Sequence, residues 1–196
     1  MVTKGILSSY KELTDPQLAE LMQRGDMKAF EVLVERYRQK AFYLALGLVG
    51  DADEAADVSQ EAFIRVYRAA KRFDTSEDFF GWFYVILSNL ARNRIKKRQV
   101  RAAHVRQEQA DTDAIRHRQS RSNPDLLLEA DETKKLVWEA IERLPYNFRE
   151  IIILRHFEEL PYGEIAGLLD IPIGSVMSRL YYARLKLKTI LETANE

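Results

Sequence analysis

The chain has no cysteine, and only five prolines and eight glycines, among 196 residues. Without cysteine there is no disulfide framework, no thiolate metal site and no thiol redox sensor. Histidine is nearly as scarce. His104, His117 and His156 show no ligand-like spacing, so neither a metal nor another cofactor is expected. No apolar run approaches the roughly 20 residues that span a bilayer. The opening segment Met1–Ser9 is too short and too polar to read as a secretory signal. These absences predict a cytoplasmic protein without membrane insertion of its own.

A surplus of charge is missing as well: 30 basic residues balance 30 acidic ones. Free-standing nucleic-acid binders are typically basic, so neutrality argues against tight, independent binding to DNA. The charges are nevertheless segregated. Six basic residues (Arg92, Arg94, Lys96, Lys97, Arg98, Arg101) and no acidic one fall between Arg92 and Arg101, whereas Asp51–Glu61 carries five carboxylates. Patches of both signs suit a chain that meets DNA on one surface and a protein on another.

What the sequence has in abundance is helical period. Asp15-Pro16 reads as an N-cap with proline at the first helical position, and Gly25 as the stop. Asp26 starts a helix whose apolar positions run from Phe30 through Leu33, Tyr37 and Leu44 to Leu48. Gly50 ends it and Asp51 restarts. The third helix gathers Ala55, Ala62, Phe63 and Val66 on one face. A polar loop, Asp74–Asp78, leads to an aromatic-rich helix over about 79–97. Between about Gln99 and Asp125 large apolar residues are few, and the segment predicts a tether. Helical period resumes after Pro124, giving an all-α chain of two small domains: tail 1–13, helical domain 14–98, linker 99–126 and second helical domain 127–196.

The second domain carries the sharpest pattern. Ile165, Ala166 and Leu169 face inward on a short helix, Asp170-Ile171-Pro172 makes a turn, and Pro172 bars continuation of that helix. Val176, Leu180, Ala183 and Leu187 then share one stripe of a longer helix. The opposite face presents Ser175, Ser178, Arg179, Tyr182 and Lys186, a set that suits bases and phosphates in a major groove; Arg184 adds a further cation. Two helices of an ordinary bundle with a solvated polar face would show similar spacing. However, Leu160-Pro161-Tyr162-Gly163-Glu164-Ile165-Ala166, with Ile171-Pro172-Ile173-Gly174-Ser175-Val176-Met177-Ser178-Arg179-Leu180, closely resembles the promoter-upstream reader of extracytoplasmic-function (ECF) sigma factors. Leu144-Pro145-Tyr146-Asn147-Phe148-Arg149-Glu150 resembles the segment that precedes it. The chain departs from the family at Asp170, where glycine is usual, and at Tyr182, often arginine or lysine.

The first domain distinguishes this family from other helix-turn-helix proteins. At roughly 100° per residue, Phe79, Phe83, Ile86, Leu87 and Leu90 form a core side of the aromatic-rich helix. Trp82, Val85, Asn89, Arg92, Asn93 and Lys96 form another side, expected to face solvent. Aromatics stack on unpaired bases, amides bond their edges and cations hold phosphates; the alternative is that Trp82 packs beneath a loop or the next domain. The Phe73–Arg98 segment resembles the ECF element that melts and reads the promoter-downstream box. In that family the loop before the helix receives a flipped base, and here Thr75 and Ser76 are the expected contacts. Asp57-Val58-Ser59-Gln60-Glu61-Ala62-Phe63-Ile64-Arg65 resembles the polymerase-binding helix, which puts Asp57, Gln60, Glu61, Ile64, Arg65 and Arg68 at a protein interface. A solvated face held by pairs such as Glu61–Arg65 is the simpler alternative.

The resemblance covers about residues 14–98 and 127–190, with both domains in the family's order. It implies core RNA polymerase and promoter DNA as partners, an anti-sigma factor as a restraining partner, and no catalysis. The family's tether runs toward the polymerase active centre. Between Gln99 and Asn123 five arginines outnumber three carboxylates, so this tether does not imitate an RNA strand by charge. A conventional operator-binding regulator and a protein-only helical adaptor are the rival readings.

Overall fold

The computed structural model describes residues 10–108 and 132–194, with side chains for 10–103 and 136–193, and every regular element among them is helical. The order is α1 (Asp15–Gln23), α2 (Met27–Val49), α3 (Ala52–Ala69), a 3-10 turn (Ala70–Arg72), α4 (Phe79–Glu108), α5 (Glu132–Glu142), α6 (Tyr146–His156), α7 (Tyr162–Leu169) and α8 (Ile173–Ala194).

Local chemistry explains most of the boundaries. Asp26 accepts from the Lys28 and Ala29 amides at 2.9 and 3.3 Å, and Asp51 from the Glu54 amide at 2.9 Å, satisfying the unpaired donors that open α2 and α3. Gly25 and Gly50 take φ of +89° and +74°, the left-handed backbone that glycine adopts without steric cost. At α1 the expectation was one residue out. Thr14 is the cap residue, its amide donating to the Gln17 side chain at 2.9 Å. Asp15 instead pairs with Arg36 and accepts from the Tyr37 hydroxyl, tying α1 to α2. The predicted end of the aromatic-rich helix is also corrected. Gln99-Val100-Arg101-Ala102-Ala103 contains no breaker and is made largely of good helix formers, so α4 continues to Glu108. Only 99–108 of the expected 99–126 linker falls within the described residues, and it is helix.

The first four helices enclose a core of aromatic rings and leucines. Tyr37, Phe63, Phe79 and Phe83 meet at centroid separations of 5.0–6.4 Å, with Leu18, Leu33, Leu44, Leu48 and Leu87 around them. In the second unit α6, α7 and α5 pack on α8 around Ile151, Leu154, Ile165, Val176, Leu180 and Ala183.

The units are in contact. The C-terminal end of α2, Leu44 to Gly50, is buried on every side, because α5 and α6 cover the face that α3 and α4 leave free. Gly47 is required there: a β-carbon would lie 2.7 Å from Ile153 Cδ1 and 3.2 Å from the Trp138 ring. Arg149 of α6 closes the seam. Its buried guanidinium donates to the Leu48 carbonyl at 2.6 Å, to the Leu144 carbonyl at 3.2 Å and to that of Glu142. These carbonyls belong to the last turns of α2 and α5 and the residues just beyond, where intrahelical donors run out and the helix dipole is negative. Lys40 adds a pair with Glu158 at 2.5 Å while lying over the Phe80 ring.

Removing Arg149 would strand buried carbonyls. Arg149→Ala is expected to cost about 3 kcal/mol, seen as a lower urea midpoint for the full chain; Arg149→Lys, unable to span three acceptors, should recover only part of it.

Candidate nucleic-acid and protein interfaces

The helix-turn-helix forms as its sequence requires. Asp170 takes φ +50°, ψ +51° after α7, accepting the left-handed conformation where glycine would be easier. The Ile171 amide donates back to the Ala166 carbonyl at 3.0 Å, and the Pro172 carbonyl receives the Ser175 and Val176 amides at the start of α8. Val176, Leu180 and Ala183 are buried, and Leu187 is half-buried beside them.

On the polar stripe of α8, Ser178, Tyr182 and Lys186 are exposed, while Ser175 and Arg179 are half-buried. The Ser178 hydroxyl donates to the Ser175 carbonyl at 3.1 Å. Arg184 does not join them. It lies on the far side of the helix, where Met177, Tyr181, Leu185, Lys188 and Tyr162 border a depression of about 410 Å³ with it.

The loop before α4 is organised by its carboxylates. Asp74 accepts from both the amide and the hydroxyl of Ser76, at 2.9 and 2.7 Å, which holds its carboxyl below the usual range. Asp78 caps α4 through the Gly81 amide at 2.7 Å. The Ser76 hydroxyl is therefore engaged within the loop, while Thr75 is half-buried. Along α4, Asn89, Arg92, Asn93 and Lys96 are exposed. Trp82 departs from the solvent-facing expectation: it is half-buried, stacked on Phe73 at 4.6 Å and edge-on to Phe79 at 6.0 Å. An indole is too large an apolar surface to leave free when two phenyl rings lie within reach.

Between α3 and α4 runs a groove of about 970 Å³. Asp57, Gln60, Glu61, Ile64 and Arg65 form its α3 wall, and Asn93, Lys96, Lys97 and Arg101 are on the α4 wall. Asn93 and Lys96 thus border both the groove and the α4 stripe. Arg94 crosses the groove floor to Asp57 at 2.5 Å and Glu54 at 3.5 Å, and Arg98 reaches Glu54 at 3.2 Å. Glu61 and Arg65 pair at 2.9 Å, as the alternative for this face required. Ile64 is 44% exposed, and Arg68 is exposed on the same helix outside the groove walls.

The residues that sequence reasoning missed lie between the units. Glu150 of α6 is 3% exposed. Its Oε1 accepts from the Tyr84 hydroxyl at 3.2 Å, lies 3.3 Å from that of Tyr146, and faces Arg92 at 3.5 Å. The Tyr146 hydroxyl is also 3.2 Å from the Ser88 carbonyl, and its one proton serves one acceptor at a time. Arg92 lies over the Tyr146 ring at 5.1 Å. A signal existed: Arg149-Glu150 runs directly into Ile151-Ile152-Ile153-Leu154, and a carboxylate at the head of a buried run needs partners.

Comparison with known proteins agrees with this geometry. The Sigma-70 region 2 family model matches residues 33–101, and that of Sigma-70, region 4 matches 134–187. The RNA polymerase sigma-H factor of Pseudomonas aeruginosa is 39% identical over 173 residues, covering 87% of this chain and 90% of the relative. The ECF RNA polymerase sigma-E factor of Escherichia coli K12 is 38% identical over 182 residues, 89% of this chain and 92% of its own. Among solved structures, CnrH in complex with the cytosolic domain of CnrY aligns with TM-score 0.67 at 22% identity, over 91% of this chain and 97% of CnrH. RpoE of Bartonella quintana, in complex with the anti-sigma factor NepR, aligns with TM-score 0.66 at 22% identity, over 84% and 98%. The chain belongs to the sigma-70 family of RNA polymerase sigma factors, in its ECF group.

Burial pushes the Glu150 carboxyl above its ordinary value of 4.5, against the pull of Arg92, the Tyr84 and Tyr146 hydroxyls and, further off, Arg179. The folded chain therefore holds this proton more tightly than the unfolded chain. Its contribution is fully present below 4.5 and is lost as pH rises through the raised value. Wild-type stability minus that of Glu150→Gln should accordingly fall as pH rises above 4.5, measured by paired urea titrations. A difference that grows with pH would mean that the ionised form is the one favoured by the fold.

Proposed function

We propose that the chain docks on core RNA polymerase through the α3 wall of the groove, with Asp57, Gln60, Glu61, Ile64, Arg65 and Arg68 as its contacts. Ile64 supplies the apolar centre and the surrounding charges set register. The carrying observation is that one chain combines this groove, an amide-and-cation stripe on the adjoining helix, and a helix-turn-helix with an outward polar stripe. Neither an operator-binding regulator nor a protein-only adaptor requires all three.

In this reading Ser175, Ser178, Arg179, Tyr182 and Lys186 of α8 meet the upstream promoter element near minus thirty-five. Arg184, on the far side of α8, is suited to a phosphate or a protein rather than to that groove. The α4 stripe of Trp82, Asn89, Arg92, Asn93 and Lys96 receives strand-separated DNA near minus ten, with Thr75 and Ser76 at the loop that leads into it. The functional units are taken as 14–98 and 127–196. Catalysis belongs to the polymerase, and the chain itself supplies binding and orientation. The cytoplasm, where polymerase works, is its place of action; no helix among the described residues is long and apolar enough to cross a membrane. An anti-sigma factor is inferred as a regulatory partner, as NepR is for the structurally similar RpoE.

Transcription reconstituted from core polymerase and the purified chain tests the reading. Discrete start sites should appear only when both are present; start sites identical without the chain would contradict it.

Two substitutions separate the steps. Asn89→Ala removes an exposed amide and should reduce open complexes about tenfold while leaving polymerase affinity within about twofold. Ile64→Asp should do the reverse, weakening polymerase binding by about tenfold or more without changing the urea midpoint. Trp82→Ala is the less clean probe, because it also removes the stacking on Phe73.

A further inference from the structure

The polar stripe does not account for everything that α8 exposes. Ile173, Met177, Tyr181 and Leu185 are 52%, 56%, 64% and 52% exposed. They follow one another every four residues, so they form one row along the helix. At about 100° per residue, the line directly opposite the buried Val176, Leu180 and Ala183 passes close to Gly174, Ser178, Tyr181 and Leu185. Tyr181 and Leu185 thus stand where the helix projects furthest from its own core, and Met177 precedes Tyr181 by one turn. A β-carbon at Gly174 would meet nothing within 4 Å, so this line is open from its first turn.

An exposed apolar row marks a contact surface, and the charges around it select the partner. Between Ile171 and Leu191 there are four cations, Arg179, Arg184, Lys186 and Lys188, and no carboxylate. A second copy of this helix would bring like charges together, whereas a polyanion would be attracted from both flanks. Arg184 and Lys188 border the row on one side. On the other, the Tyr181 ring stands edge-on to that of Tyr182 at 5.3 Å, which joins the row to the polar stripe. Hydrogen-bond readers are scarce on this helix. α8 contains no asparagine or glutamine, the residues that pair with adenine through two bonds. Arg179 is half-buried, and the Ser178 hydroxyl already donates to the Ser175 carbonyl. The outer line offers a thioether, an aromatic ring and a branched alkyl group instead. The base-edge group in the major groove that such surfaces complement is the C5 methyl of thymine.

We propose that Met177 and Tyr181 are specificity-determining residues of α8, which select thymine in the upstream element by apolar contact with its C5 methyl group. The inference rests on the assignment of α8 to that element and adds two residues to it. Discrimination then comes from burying a methyl, worth about fourfold in affinity for each thymine contacted, rather than from hydrogen bonds. The methyl marks one strand of an A·T pair, so the contact also reads the orientation of the pair. Arg184 and Lys188, beside the row, are left to the phosphates at the edge of the groove.

Deoxyuridine gives a direct test, since it lacks only that methyl and keeps every hydrogen-bonding group of thymidine. The probe is a promoter duplex located by start-site mapping, with the thymines of its upstream element replaced one at a time on either strand. Each duplex competes for holoenzyme reconstituted from core polymerase and the full chain. Replacement of at least one thymine should weaken binding about fourfold. Met177→Ala or Tyr181→Ala should reduce that ratio to less than about twofold, whereas Tyr181→Phe, which keeps the ring, should preserve it. All three variants should keep the wild-type urea midpoint, because both side chains are exposed. Uracil tolerated at every thymine, or a fourfold loss that survives both alanine substitutions, would overturn the methyl contact. If Tyr182→Ala and Lys186→Ala then still weaken promoter binding, the assignment of α8 to the upstream element stands without it. If none of the four alanine substitutions changes promoter binding, that assignment fails, and the inference fails with it.

Discussion

A single carboxylate between two helical units, Glu150, is the constraint around which the molecule is arranged. Taking it out of water is unfavourable unless donors converge on it. Here they come from both sides of the seam: Tyr84 and Arg92 from α4, Tyr146 from its own helix. Its neighbour Arg149 does the complementary work, supplying buried donors to carbonyls left over at two helix ends. One dipeptide of α6 thus satisfies acceptors in both units and draws donors from both. The close approach depends on Gly47, where any side chain would meet Ile153.

The α4 stripe runs beside this seam, and Arg92 belongs to both: it faces Glu150 at 3.5 Å while more than half of its side chain stays exposed. The groove between α3 and α4 borders the same stripe at Asn93 and Lys96. One helix thus carries the seam on one side and the groove on the other, with the amide-and-cation stripe between them.

Most of the fold was legible because it is written in short-range chemistry. Asp26, Gly50, Asp51 and Pro172 act within a few residues of themselves, and each marks the boundary that its side chain or backbone dictates. The Asp15 cap was misplaced because a distant arginine and tyrosine compete for that carboxylate, which local pattern does not reveal. The extension of α4 to Glu108 was missed because a basic, polar run was read as tether when it lacks any breaker. For the site, helical spacing grouped the α3 face and the α8 stripe, whereas Arg184, added as a further cation, lies half a turn away from that stripe. Trp82 and Glu150 escaped for one reason: their partners, Phe73 across a loop and Arg92 in the other unit, depend on tertiary contacts. Beside Arg149-Glu150 at the head of a buried run, the stretch Leu44–Val49, apolar on all sides, was the other trace of the interdomain seam in the sequence, since a helix end apolar all round is a buried one.

Promoter reading as an act shared by two units on polymerase is most directly tested by footprinting promoter DNA with core polymerase and the purified chain. Protection of both the upstream and the downstream element that appears only when polymerase and chain are present together is the predicted result. Protection of either element by the chain alone at the same salt would contradict it.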